Sequence, residues 1–579
     1  MKFIKTPEFI TALCFFVFLA LGIASKISIE NVKFVQDGKA ETASFPFVKN
    51  IEINKPFNME FDIASHFDFA YDMWIVPDDC AEAIAIDGVE ASLSDIQNRC
   101  SFSKGFVLAD DFLAPYKHGG TTHYSLTLKN MGGPGGMALF IKMTSKIGWL
   151  INGLIFISLA MFFALLARRL RLGKTLIVLL FVGIVFRCFF FMATPYKKFS
   201  MDVEGHISYI QYVIENHSIP GNQECWSCYH PPVYYVSAVP SYLLSEFLGM
   251  PGTTGLQTFS LLLSVLTTFF GLLFLRKILE GRNLVLASVL WIFWPLMIMV
   301  APRIGNDQLF YLLHVLCLWA GISYFKDGRG KYLIVAVVAT ALALWTKTTG
   351  VVTLGMLFVL MVGGFFTKGE LRKPTRSEVV SWSLFIVLIA AFVLQKLLGS
   401  DLVGNADYLN SSMKVQNEAF NYLYFDLRSF LEYPWTSCWN SMMGRSFFWN
   451  FALKTSLFGE WDMLPTAEGR LCATIMSVLL LGLVVYGIRG FWKKRLDLVH
   501  WILFLQGIAF FGSLATLRLK YPFACSNDFR YILPVLLSIV PFVANGVTLK
   551  ESSTIWKVGG YVIVLAFVVS SAILYIMVM

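Results

Sequence analysis

Apolar residues run almost unbroken for about 20 positions at a time, the length a helix needs to cross a bilayer. Thirteen such runs are read as spanning helices, at roughly 9–25, 147–167, 174–193, 255–276, 284–301, 308–326, 331–346, 349–367, 379–398, 471–490, 499–517, 530–547 and 557–577. The stretch 231–249 is read differently. It is short, prolines stand at both ends of its apolar part, and a crossing there would invert every later loop. It is expected to lie on the outer surface as one or two interfacial helices.

Residues 26–146 follow another pattern. "NMEFDIA" and "MALFIKM" alternate, "GGPGG" is a turn cluster, and "IAIDGVEASL" reads as strand, Asp-Gly turn, strand. A compact β-rich domain is expected there, a sandwich or jelly roll. The chain thus divides into a membrane anchor at 1–25, an outward β domain at 26–146, a linking span and loop at 147–173, and a helical core at 174–579. The core carries two larger outer loops, 195–254 and 399–470. The first apolar stretch is read as an uncleaved anchor rather than a signal peptide, because it is long and no clear A-x-A site follows.

Composition agrees with this pattern. Of 579 residues, 56% are hydrophobic and only 15% charged, against about 25% charged in soluble domains. The chain is therefore read as a polytopic membrane protein. Its net charge of +9 is placed in cytoplasmic loops rather than on a nucleic-acid surface. "RRLRLGK", "LRKILEGR", "KDGRGK", "TKGELRKPTR" and "RGFWKKR" all fall on one side of the span count, together with Lys2 and Lys5. The positive-inside rule makes that side, and the N-terminus, cytoplasmic. The 16% of aromatic residues suits interfacial belts.

Cysteines divide along the same line. Cys14, Cys188, Cys317 and Cys472 fall within spans, whereas Cys80, Cys100, Cys225, Cys228, Cys438 and Cys525 fall in outward segments, where disulfides persist. Cys80 with Cys100 is expected to bridge inside the β domain. "CWSC" at 225–228 is read first as a small disulfide loop, with a redox pair or half a zinc site as alternatives.

The ionisable groups that remain gather at one face. "SMDVEGH" holds Asp202, Glu204 and His206, and apolar residues at Ile207, Ile210, Val213 and Ile214 predict an amphipathic helix directly after it. Asp202 fits a structural N-cap of that helix; it also fits a functional acid, given the company of Glu204, His206 and, before the double proline of "YHPPVYY", His230. "APRIGNDQ" places Arg303, Asn306 and Asp307 in a short outer turn, "WTKTTG" places Lys347 in another, and "CSNDFRYILP" places Asp528, Arg530 and Tyr531 at a span start. Singly, such a lysine or arginine reads as snorkelling. Together these residues suit a donor whose phosphate sits at headgroup level and whose lipid tail lies among the spans. Arg and Lys bind the phosphate, and a carboxylate takes a proton from an acceptor hydroxyl. No P-loop or dinucleotide-binding signature is present.

In their order, "SMDVEGH", "YHPPVYY", "GNDQ", "WTKTTG" and "FRYILP" resemble the GT-C superfamily of polyprenyl-phosphate-sugar-dependent glycosyltransferases, over about residues 174–579. That group includes protein O-mannosyltransferases, the lipid A aminoarabinose transferase and bacterial cell-surface sugar transferases. The resemblance implies that Asp202 is the catalytic base, that Glu204 assists it, and that His230, Pro231 and Pro232 lie on interfacial helices. It implies that Lys347 and Arg530, with Arg303, hold the donor phosphate. His206, His230, Tyr234, Asn306, Asp307 and Tyr531 are the candidates to line the substrate. Two departures stand out. Val203 separates the two acids, which leaves open whether Asp202 and Glu204 hold a divalent metal (Mg or Mn), and a β domain precedes the core.

The expected activity is inverting transfer of a hexosyl or pentosyl group from a polyprenyl-phosphate donor. The acceptor is a cell-surface glycan, a lipid-linked glycan or a protein on the outer, periplasmic face of a bacterial inner membrane. No nucleic acid is expected as a partner. A secondary transporter or flippase of lipid-linked sugars is the alternative, though transporters place polar sites at midplane and show internal repeats. A non-enzymatic anchor for the β domain is the third reading.

Overall fold

The structure is a computed structural model. It describes residues 6–24, 27–65, 70–100, 105–117, 120–132, 135–144, 146–199, 202–248, 250–366, 374–398, 413–461, 463–464, 466–493 and 496–578. Lys2, Lys5, the basic positions 367–373 and 494–495, the first two residues of "SMDVEGH", the middle of "GGPGG" and the first part of the outer loop, 399–412, lie outside the described residues. The chain forms two compact units, 1–166 with 248–250 and 167–247 with 251–579.

The first unit contains the helix Pro7–Ala24 and ten strands: β1 Ile27–Gln36, β2 Lys39–Thr42, β3 Phe47–Lys49, β4 Pro56–Ser65, β5 Tyr71–Pro77, β6 Cys80–Ile86, β7 Val89–Ser92, β8 Phe106–Leu108, β9 Thr121–Lys129 and β10 Gly135–Met143. They form two antiparallel sheets, ordered β2-β1-β4-β9-β6-β7 and β3-β10-β5-β8. Met59, Phe61, Tyr124 and Leu126 of the larger sheet share one buried core with Met73, Ile75, Leu108 and Leu139 of the smaller. Alternate residues of each strand supply that core, as a two-sheet sandwich requires. The expected Asp-Gly hairpin is present. Asp87 and Gly88 take φ of 46° and 81°, and Ile86 pairs with Val89, the geometry a two-residue turn with two positive φ demands. Cys80 and Cys100 are disulfide-bonded.

The second unit is helical. The run at 147–167 is the helix Lys146–Arg169, most of which belongs to the first unit; each later run is found as helix in the second, with differences where proline intervenes. The run at 284–301 is split into Gly281–Phe293 and Pro295–Met299, because Pro295 has no N–H to continue the ladder. The run at 530–547 opens as the 3₁₀ segment Phe529–Val535, containing Pro534, before Leu536–Thr548. Among the described residues nine helices are long and apolar enough to cross a membrane, and four more apolar helices are shorter. The protein is a multi-pass membrane protein. The helix Val233–Phe247 has only 15 residues, with Pro240 inside it. At 1.5 Å per residue it reaches about 22 Å, short of the ~30 Å apolar core of a bilayer.

Contacts between distant turns sort the unit into two ends. At one, Arg276 Nη1 donates to the Leu170 carbonyl at 2.6 Å, Lys277 pairs with Asp327 at 2.7 Å, and Arg489 Nη2 meets Ser552 at 2.6 Å. At the other, Lys198 Nζ donates to the Val578 carbonyl at 3.1 Å, and Gln257 Nε2 bridges the carbonyls of Thr194 and Pro302 at 3.1 and 3.3 Å. The first end carries basic loops and is expected to be cytoplasmic. A cysteine at Arg282, which is exposed next to the positive-φ Gly281, tests this on a background cleared of reactive native thiols. Labelling only after reagent reaches the cytoplasm is expected; labelling of intact cells by an impermeant maleimide would overturn the assignment.

Candidate functional site

Five of the segments singled out in the sequence meet at the second end. The helix Val203–Asn216 begins after Asp202. The N-terminal part of Val233–Phe247 is held against the turn carrying Lys347 by a hydrogen bond from the Val233 N–H to the Trp345 carbonyl at 3.0 Å. The turn before Asp307–Asp327 is tied to the same place by Asn306 Nδ2, which donates to the Thr346 carbonyl at 3.3 Å. Tyr311, one helical turn after Asp307, donates to the Arg530 carbonyl at 2.5 Å and fixes the fifth segment.

At their meeting point lies a buried ionic cluster. Lys347 Nζ pairs with Asp307 Oδ1, and both side chains are about nine-tenths buried. Arg530 Nε stands 3.0 Å from Asp528 Oδ2 with both side chains buried. The N–H is not aimed at that oxygen, so neither atom has a hydrogen-bond partner. Arg530 Nη2 donates to Tyr531 Oη at 3.0 Å, and the Lys347 ammonium lies 4.5 Å from the centre of the same ring. Arg303 is buried too, and its Nη2 has no hydrogen-bond partner. Three cations thus face two carboxylates. Burial, then repulsion from Arg530, pulls Arg303 below its ordinary pKa, and burial does the same to Lys347 against the opposing pull of Asp307. Counted over its buried members, the cluster carries one more positive than negative charge.

The aromatic wall beside it is neutral. His206 Nδ1 shares a hydrogen bond with Tyr235 Oη at 2.8 Å, and Tyr235 stacks on Tyr209 at 3.7 Å. His230 stacks on His206 with ring centres 5.8 Å apart. Burial pushes both imidazoles down to about 3. Tyr234 Oη accepts from the Gly305 N–H at 3.0 Å. A Cβ at Gly305 would come within 3.3 Å of His206 Nε2, so the glycine of "GNDQ" lets the two segments close on each other.

Asp202 stands at the exposed rim. It occupies the N-cap position, yet its side chain makes no cap. Its φ of +54° is left-handed and directs the carboxylate away from the first-turn N–H groups, leaving only its carbonyl to accept from the His206 N–H at 3.1 Å. The N-cap reading of this side chain is therefore not met. Instead, Asp202 Oδ1 accepts from the Trp226 indole N–H at 3.3 Å. Trp226 belongs to "CWSC", whose Cys225 and Cys228 are disulfide-bonded. That small loop packs so closely that a Cβ on Gly205 would lie 2.5 Å from Ser227 Oγ. Asp202 is also within electrostatic reach of Arg303 and His230.

Of the residues singled out in the sequence, Arg303, Asn306, Asp307, Lys347, Arg530, Tyr531, His206, His230 and Tyr234 come together, with Asp202 at their edge. Glu204 does not join them. Its side chain is 68% exposed and pairs with Lys197 at 3.7 Å. Among the described residues no three His, Cys, Asp or Glu side chains gather as a metal site, so the pair Asp202 and Glu204 finds no third ligand among them. Sequence reasoning missed two neighbours. Trp226 stands in the sequence only as a spacer between two cysteines. Glu460 was overlooked in the outer loop, although an acid between Gly459 and Trp461 in an apolar surrounding was its signal. Glu460 is buried, its Oε2 accepts from the Cys438 thiol at 2.6 Å, and Oε1 has no partner. Burial, with Asp528 and its charge beside it, pushes its carboxyl well up, toward the neutral form.

Residues 230–394 match the family model of dolichyl-phosphate-mannose-protein mannosyltransferases. The segment contains His230, Pro231 and Pro232, which stand just before the helix Val233–Phe247 rather than on it as expected, and the turns of Arg303, Asp307 and Lys347; the GT-C resemblance read from the sequence is borne out. No curated protein matches the chain. Among solved structures, the oligosaccharyltransferase of Archaeoglobus fulgidus in the apo form is 12% identical, over 70% of this chain and 55% of its own, with a TM-score of 0.40. The archaeal oligosaccharyltransferase with an inhibitory peptide and a dolichol-phosphate is 12% identical over 69% and 55%, with a TM-score of 0.35. ArnT from Cupriavidus metallidurans bound to undecaprenyl phosphate is 12% identical over 64% and 77%, with a TM-score of 0.32. The chain spans about half the length of the oligosaccharyltransferase.

Proposed function

From the GT-C-type core marked out by residues 230–394, we propose that the protein is an integral membrane glycosyltransferase that moves a sugar from a polyprenyl-phosphate donor to an acceptor hydroxyl. The observation that carries this reading is the buried cluster of Arg303, Lys347 and Arg530 against two buried carboxylates, Asp307 and Asp528, with Asp202 at the exposed rim and an unpartnered guanidinium nitrogen on Arg303. A sugar phosphodiester brings a single negative charge, which matches the positive excess of the buried members. In the reaction Asp202 removes the acceptor proton, the acceptor oxygen attacks the anomeric carbon from the face opposite the phosphate, and the bond from that carbon to the phosphate oxygen breaks. Polyprenyl phosphate leaves with a second negative charge, which the three cations stabilise more strongly than the donor's single charge. One displacement inverts the anomeric centre. His206 and His230, held neutral by burial, take no part as acids and shape the wall. The site faces the periplasm of a bacterial inner membrane, and the acceptor is a surface glycan, a lipid-linked glycan or a protein.

Binding of undecaprenyl phosphate to Lys347→Gln and Arg530→Gln tests the phosphate grip. Hydrogen bonds to charged groups contribute about 1.5 to 3 kcal/mol, so each change is expected to weaken binding by roughly one to two decades. Arg530→Lys is expected to recover only part of the loss, because the fork of donors is gone. Affinity unchanged in both Gln variants would remove these residues from the donor site.

A further inference from the structure

Cys438 and Cys525 are both free thiols, far apart in sequence yet side by side in the fold. They lie within interaction range of each other and pack in one small cluster with Phe451 and Ala524. The scaffold around them is tied at several points. Lys414 bridges Phe523 as a short antiparallel contact, the Val415 N–H donates to the Pro522 carbonyl at 3.0 Å, and Asn527 Nδ2 donates to the Phe448 carbonyl at 2.6 Å. The Phe529 N–H donates to Thr455 Oγ1 at 3.0 Å. These ties fix the segment of Cys525, and Cys438 packs against it in the same small cluster. The same neighbourhood already contains an oxidised pair: Trp226, inside the Cys225–Cys228 loop, touches Asp202, and Asp202 lies within electrostatic reach of Cys525. Whatever oxidises Cys225 and Cys228 reaches this face of the protein.

We propose that Cys438 and Cys525 are joined as a disulfide in the mature protein, stapling the outer loop that carries Glu460 to the turn that carries Asp528 and Arg530. The thiols give up two protons and two electrons, a sulfur–sulfur bond forms, and a disulfide-bonded thiol oxidant of the compartment is reduced to its dithiol. The Cys438 thiol proton is one of those lost, so Glu460 Oε2 loses its donor and turns toward the cluster. The staple holds Asp528, and with it Arg530, in register with the loop.

The test is non-reducing peptide mapping of the full-length protein, purified from membranes with N-ethylmaleimide present throughout. A linked Cys438–Cys525 peptide is expected, with Cys188 and Cys317 alkylated only after denaturation. Alkylation of both Cys438 and Cys525 under the same trap overturns the proposal. Thermal unfolding gives an independent reading. Cys438→Ala with Cys525→Ala is expected to melt lower than wild type and to lose the part of the reductant sensitivity that the Cys80–Cys100 and Cys225–Cys228 bonds do not account for. A double variant that melts and responds to reductant as wild type does also overturns it.

Discussion

Replacing Asp202 by Asn is expected to lower sugar transfer by about 10² to 10⁴, the usual worth of a general base, while leaving donor affinity and folding intact. The separation is argued from the contacts. Asn keeps the side-chain oxygen that accepts from Trp226 at 3.3 Å, so the CWSC loop stays in place. It loses the negative charge and with it the capacity to take the acceptor's proton. Asp202 makes no helix cap, so no capping energy is removed. A steady-state assay with polyprenyl-phosphate sugars, run beside undecaprenyl phosphate binding, decides the matter. A purified Asp202→Asn protein with full turnover would sink the assignment of Asp202. If wild-type protein in vesicles moved lipid-linked sugar across the bilayer without transferring it, the transporter reading would replace the enzyme.

The second large effect is on stability. Asp307→Asn removes one of two carboxylates from a buried group of three cations. Breaking a buried ion pair at one partner costs about 3 to 5 kcal/mol, because a charge is left without compensation. The side chains of Lys347 and Asp307 are only 10% and 13% exposed, so solvent screens the pair weakly. Asp307→Asn is therefore expected to melt well below wild type and to express poorly. Adding Lys347→Gln restores the wild-type excess of one positive charge, and the double variant is expected to regain much of the lost stability but not donor binding. Equal melting of Asp307→Asn and wild type would mean that the cluster is hydrated and that its charges are not coupled.

The candidate site was legible in the sequence to the extent that its members are local. Lys347 and Arg303 stood as charges in short turns and Arg530 at a span start, each with snorkelling as the alternative, and all three are buried in one cluster. Glu204 shows the limit of that reasoning. It sits two residues from Asp202, but Asp202 stands outside the helix with a left-handed φ while Glu204 lies in its first turn, and the partner of Glu204 is Lys197. Glu460 shows the opposite case. Its environment comes from Cys438, Cys525, Asp528 and Arg530, which no short stretch of sequence assembles. Trp226 gains its meaning only from the fold, where Gly205 lets the CWSC loop settle on the helix that Asp202 opens.

Sequence by itself determined the helical runs, the alternating strands of 27–143 and the Asp-Gly hairpin, because each depends on a period of 3.6 or 2 or on two turn residues. It also determined which turns are polar, since a charge among apolar residues is visible without a fold. Only the tertiary structure decided that Asp307 meets Lys347, that Arg530 lies against Asp528 and Tyr531, and that Asp202 turns from its helix toward Trp226. Those contacts depend on how long helices pack side by side, which brings their ends to one place regardless of distance along the chain. Helix packing follows the shapes of many interlocking side chains at once, and no repeat or spacing in the sequence encodes that sum.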